Sequence, residues 1–242
     1  MHVFPEINKT KISQKIENEI SKCDVFIHAA EPANNESYTP KFMRLAMDNC
    51  SVLADILGDR LIYVSSVLIY GLGSSIPHSE NEAANPFNNY TEHKTRVENH
   101  LEKFDSRIFR ISNLVGVGMH ESTAIRQISR KIANNEVVEI EPNNQRDYIW
   151  ISDVCEVFEQ LLLQQDKKRI NIGSGIGTST KDLITVFQDV GFSKNINLEV
   201  HEKQHHEQSC LPNVSLLQSL VPHQRYTPLS SVLKPILSEE SL

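Results

Sequence analysis

Short runs of apolar, largely β-branched residues recur along this 242-residue chain and alternate with longer stretches of helical periodicity. The run at 61–65 has the length of a strand and is apolar on both faces, which is typical of a strand buried in a parallel sheet. Strands that alternate with helices form such a sheet, and the helices cover its faces. We therefore predict an α/β fold. Strands are expected at residues 25–28, 61–65, 107–111 and 169–172, and helices at 11–21, 40–57, 90–104, 152–163 and 181–190.

Residues that can transfer protons follow the second of these runs. Ser65 and Ser66 stand at its end, where a parallel sheet opens onto a crevice. Tyr90 and Lys94 begin the next predicted helix and, being four residues apart, share one helical face. An ammonium group close to a phenol favours the phenolate, so the pair can act as a general base or acid. The spacing alone is weak, because a surface helix with a solvated lysine gives the same pattern.

Five further segments stand in an informative order along the chain. They are Val25-Phe-Ile-His28-Ala29-Ala30, Ser65-Ser66-Val-Leu-Ile-Tyr70-Gly71, Arg110-Ile-Ser-Asn113-Leu-Val-Gly116, Arg146-Asp147-Tyr148-Ile149-Trp-Ile-Ser-Asp153 and Ile170-Asn171-Ile-Gly173-Ser-Gly175. With Tyr90 and Lys94, this series resembles the extended short-chain dehydrogenase/reductase family of nucleotide-sugar epimerases, dehydratases and reductases. The resemblance covers most of the chain, from about residue 20 to about residue 240. It implies a Rossmann-like parallel sheet with a small C-terminal substrate lobe.

The resemblance also implies a catalytic trio and a cofactor. The trio would be Ser66, Tyr90 and Lys94, since Ser66 stands four residues before the Tyr-Gly pair and Ser65 would then be structural. The cofactor would be NAD or NADP, with the nicotinamide ribose on the lysine. The cofactor-binding residues implied by the family are His28, Ala29, Ala30, Tyr90, Lys94 and Ile111.

A nucleotide sugar is the substrate that the resemblance implies. Its contacts would be Val67, Asn113 and Arg146. The planar fork of an arginine suits this role, because it pairs with two phosphate oxygens at once. A surface ion pair between Arg146 and Asp147 or Glu141 is the alternative.

Two departures from the family pattern bear on activity. Val67-Leu68 stands where dehydratases of the family carry Asp-Glu, which disfavours a dehydratase. No glycine precedes Gly58, whereas a dinucleotide site needs a glycine-rich turn before a helix N-terminus. The sheet is therefore expected to be incomplete at its N-terminal strands. The cluster Gly173-Ser-Gly175-Ile-Gly177 imitates that motif, but we interpret it as a turn, because Ser179 and Asp182 form a capping box after it.

The domain prediction follows the same resemblance. Residues 1–118 and 146–177 would form the truncated Rossmann-like core, and residues 119–145 and 178–242 the substrate-binding lobe. Without the family's first strand, the strand at 25–28 lacks a neighbour on one side. The segment His2-Val-Phe-Pro-Glu-Ile7, a partner chain or a second copy in a homodimer would cover that edge.

Composition excludes several classes of protein. The net charge of -7, with no basic block, argues against nucleic-acid binding. No apolar run approaches a membrane span and the N-terminus does not resemble a signal peptide, so we expect a cytoplasmic protein. The four cysteines show no Cys-x-x-Cys spacing, and the histidines at 201–206 match no metal motif, so no metal is predicted.

Two functions of different class remain open. The chain is either an NAD(P)-dependent nucleotide-sugar epimerase or 4-keto reductase, or a degenerate relative that binds a sugar nucleotide or a partner subunit without turnover. The trio favours the first, and the absent phosphate-binding turn favours the second.

Overall fold

The computed structural model of the protein describes residues 14–32, 35–74, 76–140, 144–162, 164, 166, 168–191, 198–200 and 209–239. The strands are β1 (Phe26–His28), β2 (Leu61–Ser66), β3 (Arg107–Ile111), β4 (Asn113–Val115), β5 (Val138–Ile140), β6 (Gln145–Trp150), β7 (Arg169–Ile172), β8 (Gly177–Ser179) and β9 (Leu198–Val200). The helices are α1 (Gln14–Ser21), α2 (Pro40–Leu57), α3 (Asn89–Leu101), α4 (Ala124–Ala133), α5 (Ile151–Leu161), α6 (Thr180–Asp189), α7 (Ser215–Leu220) and α8 (Leu229–Glu239).

The main sheet confirms the predicted parallel α/β fold. Its four strands run in the order β1-β2-β3-β7, and every neighbouring pair is parallel. The four predicted strands are all present, with ends within one residue of those expected. Ser66 is opposite Ile111 at the carboxyl end of the sheet, and Ile111 is opposite Ile172. The polar ends of β2 and β3 therefore meet at one edge, where α/β sheets bind their ligands.

Helices cover both faces of this sheet because each strand presents apolar side chains on both sides. On one face, Leu61 and Tyr63 of β2 pack with α2 and α3. On the other, Ile62 and Phe109 pack with α5 and α7. The sequence also sets the ends of α2: the Thr39 side chain accepts a hydrogen bond from the Phe42 N–H, Pro40 takes the first helical position, and Gly58 ends the helix.

A second hydrophobic cluster lies outside the main sheet. It joins α4, α6 and α8 to β4 and β5, with Ile125, Phe187 and Leu233 among its buried members. The predicted capping box at Ser179 and Asp182 starts α6 and is confirmed. The strands here are short and were not predicted from sequence: β4, β6 and β8 form one small sheet, and β5 pairs with β9. The cluster draws on the segments assigned to the substrate lobe, whose boundaries stay a prediction.

The first strand is at the edge of the main sheet. In the part of the chain that the structure describes, no strand precedes β1, and β1 pairs with β2 alone. Ile27 at its centre is 42% exposed. An apolar strand edge of this kind can pair with another strand. The segment at 2–7, one of the predicted covers for this edge, lies outside the described residues.

The remaining composition-based expectations concern cysteines and membranes. All four cysteines, Cys23, Cys50, Cys155 and Cys210, are free thiols. Across the described ranges, none of the helices combines the length and the apolar character that crossing a membrane requires. The histidines at 201–206 lie outside the described residues.

Candidate functional site

The start of α3 positions Tyr90 and Lys94. Asn88 caps the helix: its side chain accepts the Thr91 N–H at 2.9 Å, and Thr91 Oγ1 accepts the Asn88 N–H at 3.1 Å. This reciprocal pairing fixes the first helical turn, so that residues 90 and 94 fall on one face. Lys94 Nζ lies 5.8 Å from the centroid of the Tyr90 ring. The structure therefore brings together the tyrosine and the lysine that the sequence singled out.

Lys94 is held from two sides by the protein itself. Its Nζ donates to the Val64 carbonyl of β2 at 2.7 Å and lies 2.8 Å from Glu31 Oε2. It also lies 4.6 Å from the centroid of the Tyr63 ring. The lysine side chain is only 7% exposed. Lys94 therefore connects α3 to β2 near the carboxyl end of the sheet, and its charge is compensated by an internal carboxylate.

Glu31 is the centre of this site, and sequence reasoning missed it. Its carboxylate accepts hydrogen bonds from the Tyr63 hydroxyl at 3.1 Å and contacts His93 Nε2 at 3.2 Å, in addition to Lys94. The Tyr38 hydroxyl donates to the Pro32 carbonyl nearby, and the Tyr38 ring packs edge-on against Tyr90. The available signal was an acid directly after Ala29 and Ala30, where small residues were expected along the cofactor.

The electrostatics of the cluster follow from these contacts. Burial alone would raise the pKa of Glu31, but the His93 hydrogen bond and the Lys94 charge lower it to about 2. Glu31 is therefore an anion at any physiological pH. Burial, together with the Glu31 charge, raises the pKa of the Tyr63 hydroxyl and of the Cys50 thiol. Burial also lowers the pKa of His28, and the Lys94 charge adds to this effect.

The two serines at the end of β2 differ in their environment. Side chains alternate along a strand, so Ser65 shares the α3 face with Tyr63, while Ser66 points to the opposite face at the last strand position. Ser66 Oγ accepts the Leu68 N–H at 3.2 Å and caps a single 3₁₀ turn at Val67–Tyr70. Ser65 Oγ is buried and makes no hydrogen bond within the described residues. Ser66 thus lies at the predicted edge, whereas its catalytic role stays a prediction.

The Tyr-Gly pair after this turn has a structural role. The Tyr70 hydroxyl donates to Asn171 Oδ1 at 2.8 Å and accepts from Arg110 Nη1 at 2.7 Å, which connects the turn to β3 and β7. Gly71 has φ near +88°, and a Cβ there would lie 2.8 Å from the Asn85 carbonyl oxygen. Only glycine fits this position without displacing the loop before Tyr90.

Asp147 shows why the glycine cluster is a turn. This buried carboxylate accepts the backbone N–H groups of Ser174, Gly175 and Ile176 at 3.0, 2.6 and 3.1 Å. It also accepts the Ser112 hydroxyl at 2.5 Å. Amides that already bind an internal carboxylate are not available to a phosphate, so the interpretation of this segment as a turn is confirmed.

The predicted substrate contacts lie on neighbouring strands. Asn113 of β4 is opposite Tyr148 of β6 in the register, and its side-chain amide donates to the Asp147 carbonyl at 2.8 Å. Arg146 is half-buried on β6. The alternation of β6 directs Arg146 away from the face that carries Asp147 and Ile149. The alternative role of Arg146, an ion pair with Asp147 or Glu141, stays a prediction, and Glu141 lies outside the described residues.

The other predicted cofactor and substrate residues fall into two groups. Ala29 and Ala30 are exposed at the carboxyl end of β1, and His28 accepts the Ala30 N–H at 3.4 Å. Ile111 and Val67 are instead buried, at 9% and 1% exposure, and the Ile111 side chain belongs to the hydrophobic cluster that joins the main sheet to α5 and α7. Direct contact of Ile111, Val67, Ala29 and Ala30 with ligands stays a prediction.

One group of described residues has the composition of a metal site. Ligand atoms of His28, Glu31 and Cys50 all lie within 4.8 Å of one another. The Glu31 oxygens, however, already accept hydrogen bonds, and the Lys94 ammonium at 2.8 Å would repel a cation. The cluster is thus arranged for an ion pair rather than for a metal.

Comparison with known proteins places this geometry in a family. The sequence matches the NAD dependent epimerase/dehydratase family over residues 6–173, which is more than two thirds of the chain. The chain belongs to this family. UDP-glucose 4-epimerase of Rhizobium leguminosarum bv. trifolii is 26% identical to it over a match that covers 53% of this chain. That match covers 48% of the relative, so the chain spans about half the length of the curated relative it matches.

Solved structures of similar fold agree with the family assignment. The UDP-N-acetylglucosamine 4-epimerase of Methanobrevibacter ruminantium M1, in complex with UDP-N-acetylmuramic acid, superposes with a TM-score of 0.78 at 19% identity, covering 93% of this chain and 80% of that one. RMD from Pseudomonas aeruginosa, complexed with NADPH, gives 0.77 at 19% identity, with 93% and 86% covered. MoeE5, in complex with UDP-glucose and NAD, gives 0.76 at 19% identity, with 95% and 83% covered. At these identities the likeness establishes the fold of this member of the family.

Proposed function

We propose that the protein is an NAD(P)-dependent nucleotide-sugar epimerase or 4-keto reductase that uses Ser66, Tyr90 and Lys94. The observation that carries this proposal is the position of the Lys94 ammonium, 5.8 Å from the Tyr90 ring centroid at the carboxyl edge of a parallel sheet. Membership of the epimerase/dehydratase family and the ligands named for its fold neighbours support the substrate class.

The chemistry of each residue follows from its side chain. Tyr90 takes a proton from a sugar hydroxyl or returns one to a ketone, and Ser66 hydrogen-bonds the same oxygen. Lys94 would hold its positive charge close to the Tyr90 ring. A nicotinamide cofactor, when bound, would supply the hydride-transfer chemistry. Ala29 and Ala30, which are exposed and directly precede Glu31 in the chain, would lie along the nicotinamide end of such a cofactor.

On the substrate side, Arg146 and Asn113 would hold the diphosphate. They lie on adjacent strands, and Asn113 is fixed by its bond to the Asp147 carbonyl. Two charge-assisted hydrogen bonds from a guanidinium to a diphosphate should contribute at least about tenfold in affinity. Calorimetric titration with uridine and thymidine diphosphate sugars should therefore show about a tenfold or larger loss in Arg146→Ala. Undiminished affinity would remove Arg146 from the site.

A set of tyrosine and serine variants tests the catalytic proposal. With sugar nucleotide and either NAD or NADP supplied, Tyr90→Phe should lower turnover by about 100-fold or more, since the phenol transfers the proton. Tyr226→Phe, on a half-buried tyrosine packed in the core under α5 and α7, is the matched control and should stay within about twofold.

The adjacent serines provide an internal comparison. Ser66→Ala should lower turnover strongly, and Ser65→Ala should not. The opposite order would move the catalytic hydroxyl to Ser65, whose Oγ is buried without a hydrogen-bond partner in the described structure. Retained turnover in Tyr90→Phe would refute the assignment of the trio as a whole.

A second candidate is a relative that binds without turnover. The observation favouring it is the compensation of Lys94 by Glu31, which reduces the positive charge that Tyr90 experiences. Sugar-nucleotide binding without turnover would select this candidate. A second copy or a partner chain that pairs with β1 is part of either proposal, and the mass of the protein in solution tests it.

A further inference from the structure

We infer that Glu31 is an internal occupant of the cofactor site, whose carboxylate holds the Lys94 ammonium and must release it before both hydroxyls of a ribose can bind there. This inference rests on the proposed function for the identity of the ligand. It concerns Glu31, a residue that the family resemblance does not assign, and it makes dinucleotide affinity dependent on one side chain of this chain.

Most of the hydrogen-bonding capacity of Lys94 is already used. An ammonium group has three N–H donors. One is used by the Val64 carbonyl at 2.7 Å and a second by Glu31 at 2.8 Å. The Tyr63 ring lies 4.6 Å away on another side. At most one donor is therefore left for the two hydroxyls of a ribose while Glu31 stays in place.

Glu31 and a ribose hydroxyl would compete as hydrogen-bond acceptors for Lys94. A carboxylate forms a charge-assisted hydrogen bond with an ammonium group, which is roughly twice as strong as a bond to a neutral acceptor such as a hydroxyl. Both side chains are buried, with Glu31 5% and Lys94 7% exposed, so water screens their attraction little. A ribose hydroxyl thus cannot displace Glu31 from Lys94 on hydrogen bonding alone.

Glu31 is itself held in place by two further side chains. The Tyr63 hydroxyl and His93 Nε2 contact the same carboxylate at 3.1 and 3.2 Å, on residues that belong to β2 and α3. These contacts hold the carboxylate against Lys94 in its resting position. A carboxylate fixed in this way lowers the affinity of the Lys94 ammonium for a ribose hydroxyl.

The test separates the charge of residue 31 from its size. Glu31→Gln removes the charge, Glu31→Asp keeps it, and Glu36→Gln is the control on an exposed acid nearby. The affinity for NADH and NADPH, measured by fluorescence titration, should rise about tenfold or more in Glu31→Gln. It should stay within about twofold of wild type in Glu36→Gln, and Glu31→Asp should stay close to wild type. Equal gains in Glu31→Gln and Glu31→Asp would overturn the inference, because loosened packing would then be the cause.

A second measurement does not depend on cofactor binding. The rate of acylation of Lys94, mapped by mass spectrometry, should be about tenfold or more below that of exposed Lys103 in the wild-type protein, and should rise several-fold in Glu31→Gln. Rates for Lys94 and Lys103 that are equal in wild type would overturn the inference, even if a variant failed to fold. Absence of dinucleotide binding in every variant would count against the proposed function, and the acylation rates would still decide the role of Glu31.

Discussion

The buried ion pair between Glu98 and Arg110 should be essential for attaching α3 to the sheet. Arg110 Nη2 lies 2.6 Å from Glu98 Oε2, and its Nε donates to both carboxylate oxygens at 3.1 Å. The two side chains are 2% and 3% exposed. Although burial opposes it, the Glu98 carboxylate raises the pKa of Arg110. Removing one partner therefore leaves an uncompensated charge between α3 and β3.

The size of the effect follows from the burial of both groups. Breaking a buried pair by removing one partner costs about 3–5 kcal/mol, whereas replacing both partners by apolar residues is often close to neutral. Glu98→Leu should be the more damaging single change, because it leaves Arg110 facing Arg169, whose Nε lies 3.8 Å from Glu98. The double variant Glu98→Leu with Arg110→Met should cost at least about 2 kcal/mol less than the sum of its singles.

Urea unfolding of the wild type, the two singles and the double variant measures this coupling. A matched cycle is available on the same helix, where Glu92 and Arg96 form an exposed pair with side chains 44% and 62% exposed. That pair should couple by no more than about 0.5 kcal/mol. Additive costs at Glu98 and Arg110, or equal coupling in the two cycles, would refute the claim that burial makes the first pair strong.

Two further predictions concern carboxylates in the site. The pKa of Glu31 is lowered from its ordinary value near 4.5 to about 2, so its contribution to stability is complete above pH 4.5 and is lost as the pH falls towards 2. Between pH 5 and pH 3, the wild type should lose about 2 kcal/mol more unfolding free energy than Glu31→Gln, as measured by urea titration at each pH. Equal losses in the two proteins would contradict the lowered pKa of Glu31. Asp147→Asn should lower the free energy of unfolding by about 3 kcal/mol, because an amide cannot accept hydrogen bonds from all the donors that converge on Asp147. The control Asp189→Asn, on the exposed end of α6, should change it by less than about 0.5 kcal/mol.

The main sheet could be predicted because its signals are local. The runs that became β1, β2, β3 and β7 are short and apolar, and the stretches between them carry helical periodicity. Tyr90 and Lys94 were identified by a four-residue spacing that any helix brings onto one face. Those predictions needed no knowledge of which segments meet in space.

The rest of the site depends on contacts between segments far apart in sequence. Glu31 is surrounded by Tyr63, His93 and Lys94, none of which is its neighbour along the chain. Strand β6 was missed because Arg146 and Asp147 give it a polar start, and Asp147 is tolerated in the interior only through donors at 112 and 174–176. A local pattern cannot show that a charged side chain has such partners.

The alternation of side chains between the two faces of β6 helps to fix the register of that strand. Arg146 and Asp147 are adjacent and point to opposite faces, with a converging set of hydrogen-bond donors around the carboxylate alone. A slip of one residue would insert a guanidinium, which accepts no hydrogen bonds, among those donors. In the shifted register, the N–H donors would face a positive charge, and several backbone amides would lack an acceptor. The correct alignment of this strand is therefore enforced by electrostatics as well as by packing, which should keep mispaired intermediates scarce while the chain folds.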